Sequence, residues 1–159
     1  MKTIFGLITI SLILSGCSGY QTKIKPLDLS LLDAKKVERA SNLYRCSNFL
    51  NIFTAARAHR NDPSEHTKLT IEKANSASEI ANKILHKSAE GKEINLDRLV
   101  ISFERKGKKE AYNMVREIGN SSDSNLKDDL FLSCFKTIKQ EEAFDTINAL
   151  SNKLSEPNQ

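Results

Sequence analysis

From residue 32 onward, apolar positions recur at intervals of three and four rather than two, so the chain reads as helices with no sustained strand alternation. The first predicted helix covers 32–59. Cys46, Phe49, Leu50 and Phe53 stand at i, i+3, i+4 and i+7 and share one face. Val37, Ala40, Leu43 and Tyr44 extend that surface toward the start of the helix. The run Asn61-Asp62-Pro63-Ser64-Glu65 breaks it, with Asp62 as the cap of the next helix, Pro63 at its first position and Glu65 spaced for a capping box. The second helix, 63–89, carries Ala74, Ala77, Ala81, Ile84 and Leu85, with Leu69 and Ile80 nearby. Small residues allow close helix approach while burying little area. Gly91 is its expected stop.

A third helix starts at Asn95, a good cap, and places Val100, Phe103, Gly107, Ala111, Met114 and Ile118 on one stripe before Gly119-Asn120-Ser121-Ser122 ends it. Gly107 lies on the apolar stripe, which predicts a tight crossing there rather than a kink. The fourth helix, 124–154, carries Leu126, Leu130, Phe131, Cys134, Phe135 and Ile138. Phe144, Ile147, Leu150 and Leu154 resume the apolar spacing after the polar stretch 139–142, which is expected to mark a bend. The fold class this predicts is all-α: a small antiparallel four-helix bundle formed by a single domain, residues 32–155.

Composition agrees with a helical reading. In 159 residues, 39% are apolar and 28% charged, with six Gly, three Pro and no Trp, which excludes collagenous, disulfide-dense and turn-rich all-β classes. No solenoid-type repeat is visible. The net charge of +4 is too mild to imply a nucleic-acid partner.

The first residues carry an address. Met1-Lys2-Thr3 is a short positive start, and the apolar run 4–14 is too short to span a bilayer, which takes about 20 residues. This is the build of a secretory signal peptide, residues 1–16. The sequence Leu14-Ser15-Gly16-Cys17 resembles the lipobox of bacterial lipoproteins. That resemblance covers only the first seventeen residues. It implies cleavage before Cys17, a diacylglycerol thioether and an amide-linked acyl chain (palmitate-type) on Cys17, and stable anchoring by more than one chain. Ser18, where an Asp would favour inner-membrane retention, implies the outer membrane, with the domain on its periplasmic face. Cleavage removes only Lys2 among the charged residues and leaves a charge of +3. Residues 17–31, with Gly, Pro and polar residues, read as a lipidated tether.

With Cys17 acylated, Cys46 and Cys134 remain as an even pair in a compartment where disulfides form, each within an aromatic-rich stripe. A bond between them would join the first helix to the last. Neither sits beside a His or in a Cys-x-x-Cys motif, as a reactive cysteine would. His59, His66 and His86 form no i, i+4 pair, so no metal site is expected and all three read as solvated surface. Asp128-Asp129 and Glu141-Glu142 point about 100° apart on a helix and do not make acid–base dyads. No phosphate loop or nucleophile elbow occurs.

No catalytic residue is therefore assigned, and no cofactor beyond the lipid on Cys17. Arg105, Lys106, Lys108 and Lys109, offset by Glu104 and Glu110, read first as a solvated helix face; their functional reading is a docking patch for anionic headgroups or an acidic protein. The expected role is a small outer-membrane lipoprotein that acts by binding a protein, as an envelope-assembly or pilotin-like factor. The alternative is a binding inhibitor of the immunity, exclusion or lysozyme-inhibitor type. An exposed apolar groove along the Ala-rich second helix would support binding of a partner helix.

Overall fold

A computed structural model describes residues 27–58 and 64–155 of the chain. Four helices make up the bundle: α1 (Ala34–Ala58), α2 (Glu65–Ala89), α3 (Leu96–Asn120) and α4 (Leu126–Ser155). No strand occurs among the described residues. Cys17 and the tether up to residue 26 lie outside the described residues, as do His59, Asp62 and Pro63.

Local chemistry sets the ends. The Asp33 carboxylate accepts the backbone N–H groups of Lys35 and Lys36 and caps α1. The cap of α2 is Ser64, whose hydroxyl accepts from the Thr67 N–H, so that helix begins two residues later than the Asp62-Pro63 reading placed it. Asn95 caps α3 through the Arg98 N–H at 2.9 Å, as expected. Gly91 follows the end of α2 with φ of +70°, a conformation that glycine adopts without steric cost. Ahead of α1, Leu29–Leu31 form a short 3-10 turn and Leu32 is buried, so the domain begins slightly before the helical pattern does.

α1 is the centre of the bundle and packs on all three other helices. Its buried residues include Ala40, Leu43, Tyr44, Cys46, Ser47, Phe49, Leu50 and Thr54, which take in most of its circumference rather than one face. Toward α2 the contact is close because α2 offers Ala74, Ala77 and Ala81, all fully buried. The Ser47 hydroxyl donates to the Ala74 carbonyl at 2.7 Å, which satisfies a polar group inside that contact. The Tyr44 hydroxyl donates to the Asn82 side chain, and burial pushes its pKa up to about 12.

Toward α3 the approach is closer still. A Cβ on Gly107 would stand 2.8 Å from the Tyr44 backbone carbon and Cβ, so the tight crossing read from the stripe is present and α3 continues through it unbroken. Leu99, not Val100, is the fully buried residue at the start of α3.

α4 runs antiparallel to α1 and is held differently. The Cys46–Cys134 disulfide joins first and last helices with Cα atoms 5.2 Å apart. Beside it, Phe49, Phe53 and Phe131 form an aromatic triad with centroids 5.0–5.2 Å apart. Glu141 accepts from Arg39 Nε at 2.8 Å and from its Nη2. Glu142 accepts from Lys73 and from the Ser76 hydroxyl, and Asp145 pairs with Lys83 at 3.1 Å.

The helix runs through the stretch 139–142 without a break in its hydrogen-bonded turns. That stretch is polar because two of its residues are ion-pair partners of α1 and α2. The resumed stripe is also not core: Phe144, Ile147 and Leu150 are 56%, 60% and 56% exposed. At 100° per residue, the nine steps from buried Ile138 to Ile147 carry the side chain about 180° around the helix, to the solvent side.

Reduction of Cys46–Cys134, which closes a loop of 88 residues, should lower thermal stability by up to about 4–5 kcal/mol, read as a fall in melting temperature and a mobility shift on a non-reducing gel. Gly107→Ala should destabilise by about 1–3 kcal/mol despite the better helix propensity of Ala. Gly119→Ala, where nothing lies within 4 Å of the added Cβ, should be neutral or stabilising in the same thermal melt. For Glu142, burial raises the pKa, but the hydrogen bonds from Lys73 and Ser76 outweigh it and hold the group below its ordinary value of 4.5. A depressed folded-state pKa stabilises above the unfolded value and loses that contribution as pH falls through the folded one. Glu142→Gln should thus lower stability at pH 7 and flatten the loss of stability below about pH 4.5 in acid titrations followed by circular dichroism.

Candidate functional site

The Ala-rich stripe of α2 is fully covered by α1, so no open groove runs along it. The apolar depression lies elsewhere, between the first turns of α2 and of α4. Its volume is about 450 Å³, and it is lined by His66, Leu69, Lys127, Asp128, Phe131, Leu132 and Phe135. It exists because Phe131 turns toward α1 to join Phe49 and Phe53, while the ion pairs that tie α4 to α2 begin only at Lys73. Above that point the two helices are not drawn together.

The floor is apolar, with Phe131 and Phe135 half-buried. Leu69 is exposed, and Leu132 is 68% exposed. The rim is polar: His66, whose Nδ1 lies 3.4 Å from the Thr70 hydroxyl, and the Lys127–Asp128 pair at 3.7 Å. A volume of this size falls within the range of small-molecule and side-chain pockets, about 300–1,000 Å³. Its chemistry is that of a receptor for apolar side chains. No reactive group with an oriented base faces it, and among the described residues no group of three or more His, Cys, Asp or Glu could hold a metal.

Sequence reasoning placed Phe131 and Phe135 on the core stripe and took His66 as solvated surface. His66 is exposed, but it stands on the rim of the cleft. Leu132 was missed. The signal for it was a large apolar residue off the stripe of its own helix, directly after Phe131.

Arg105, Lys106, Lys108 and Lys109 are all exposed on α3, as expected, but they do not form one patch. Lys106 lies on the α1 side, 3.9 Å from Glu110, in a hollow it shares with Arg45. Arg105, Lys108 and Lys109 fall opposite the buried stripe of α3, with exposed Ile101 and Tyr112 among them. Cys46 and Cys134 are paired, so neither offers a thiol.

The cleft sits at the end of the bundle where α1 finishes and α2 and α4 begin. The chain enters α1 at the other end, one α1 length away, about 38 Å for 25 residues. No helix among the described residues is long and apolar enough to cross a membrane. No protein-family model matches the chain, nor does any curated protein or solved structure.

Proposed function

We propose that this chain is a lipid-anchored envelope protein, held by Cys17 to the periplasmic face of the outer membrane, that acts by binding a protein. Its partner site is the α2–α4 cleft, and the occupant is the apolar face of a partner helix, as in an assembly factor or pilotin-like escort. The observation that carries this reading is an open apolar cleft at the end of the bundle farthest from the tether. A binding site placed there stands about one α1 length from the point where the chain enters the bundle. Two or three apolar anchors of an amphipathic helix, spaced i, i+3 or i+4, would reach Leu69, Leu132 and Phe135, with the Lys127–Asp128 pair and His66 at its polar edge.

The test uses the full chain in cells with a photocrosslinking amino acid at Lys127, followed by membrane fractionation and mass spectrometry. The expected result is a membrane-associated chain that captures one envelope protein. Leu132→Asp should reduce that capture at least tenfold while leaving the melting temperature nearly unchanged, because Leu132 is already mostly exposed. Cys17→Ala should release the chain from membranes. Unchanged capture by Leu132→Asp would refute the cleft as the site, and unchanged fractionation of Cys17→Ala would refute the anchor.

A further inference from the structure

The second half of α4 separates its charges in an unusual way. Its three carboxylates, Glu141, Glu142 and Asp145, all turn inward, where they are bound by Arg39, Lys73 and Lys83. On the solvent side, from residue 136 to residue 150, stand Lys136, Lys139, Gln140, Ala143, Ile147 and Leu150, with Phe144 and Thr146 at the edges and exposed Asn148 and Ala149 beyond them. Among the described residues of that face there is no carboxylate. The Arg39 guanidinium, paired with Glu141, lies over the Phe144 ring at 5.5 Å and packs against this flank. Lys36 and Lys87 line a neighbouring depression with Asp145 and Asn148.

This face is amphipathic in the manner of an interfacial helix, with cations at one end and large apolar side chains at the other. It also lies at a particular place. α4 is antiparallel to α1, so residues 143–146 come beside the first turn of α1 and the turns after them run on past the point where the chain enters the bundle. Leu27 is ten residue steps from Cys17, a reach of at most about 35 Å. The bilayer that holds Cys17 is therefore within reach of this face.

The geometry points to a lipid-docking foot: the outward face of 136–150 rests on the anionic phospholipid surface of the anchoring membrane. Lys136 and Lys139 meet headgroup phosphates, and Ile147, Leu150 and Phe144 enter the headgroup–acyl boundary. The inference rests on the anchor proposed above. Its consequence is orientation, since a docked foot fixes the side of the bundle that faces lipid, which a tether alone leaves free.

The experiment places a benzophenone amino acid at Ile147 in the full chain in cells, with Lys108 on α3 as the comparison position, and identifies adducts by mass spectrometry. Incorporation of a fatty-acid label at Cys17 is read on the same chain. The expected result is a labelled chain whose Ile147 position yields phospholipid adducts at least tenfold above Lys108. Lys136→Glu combined with Lys139→Glu should reduce that yield several-fold. Adducts at Ile147 to a second copy of the chain or to another protein, or a lipid yield equal to that at Lys108, would overturn the foot while leaving the anchor intact. An unlabelled chain would overturn the anchor and the foot with it.

Discussion

Everything in this bundle is arranged around how closely other backbones come to α1. Ser47 and the alanines of α2 let two helices meet with little between them, and Gly107 brings α3 so close to Tyr44 that even a methyl group in its place would clash. Such contacts bury little area per residue, but they enclose α1 on two sides with high packing density. The third side is left to large aromatic side chains, and there α4 stands off. It is secured by one covalent bond, one aromatic triad and three inward ion pairs rather than by a continuous apolar seam.

That difference explains where the surface features fall. α2 and α3 use their apolar residues on α1, and their outward faces are mostly polar. α4 needs only its first four turns and a few carboxylates to be held. Its remaining apolar residues are free to face outward, and the space above Lys73 remains open as a cleft. The two apolar features of α4 thus have a single structural origin, although they lie at opposite ends of the helix.

Much of the architecture was legible because it depends on periodicity. The four helices and the role of Gly107 followed from spacing, since a 3–4 stripe identifies a buried face whatever lies against it, and the disulfide from an even cysteine pair set within two such stripes. Phase has to be counted across the gap as well: at 100° per residue Ile147 falls opposite Ile138. The polar stretch 139–142 looks like an interruption, yet the helix passes through it unbroken and emerges rotated, so Ile147 and Leu150 appear in sequence as core. The burial of α1 over most of its circumference was equally hidden, because Ser47 and Thr54 read as polar positions and are buried with their hydroxyls bonded to backbone carbonyls. The cleft was the least legible feature. It is a gap between two helices, and a gap is set by where the neighbouring ties begin rather than by any motif.

The disulfide also bears on the order in which the chain is made. Cys46 leaves the ribosome 88 residues ahead of Cys134, and the whole of α1, α2 and α3 lies before residue 121. Were those three helices to assemble first, their fourth side would show Phe49, Phe53 and an unpaired Cys46 thiol until α4 docked. A catalyst of disulfide exchange, or a chaperone that shields the aromatic face, would have its longest opportunity in that interval.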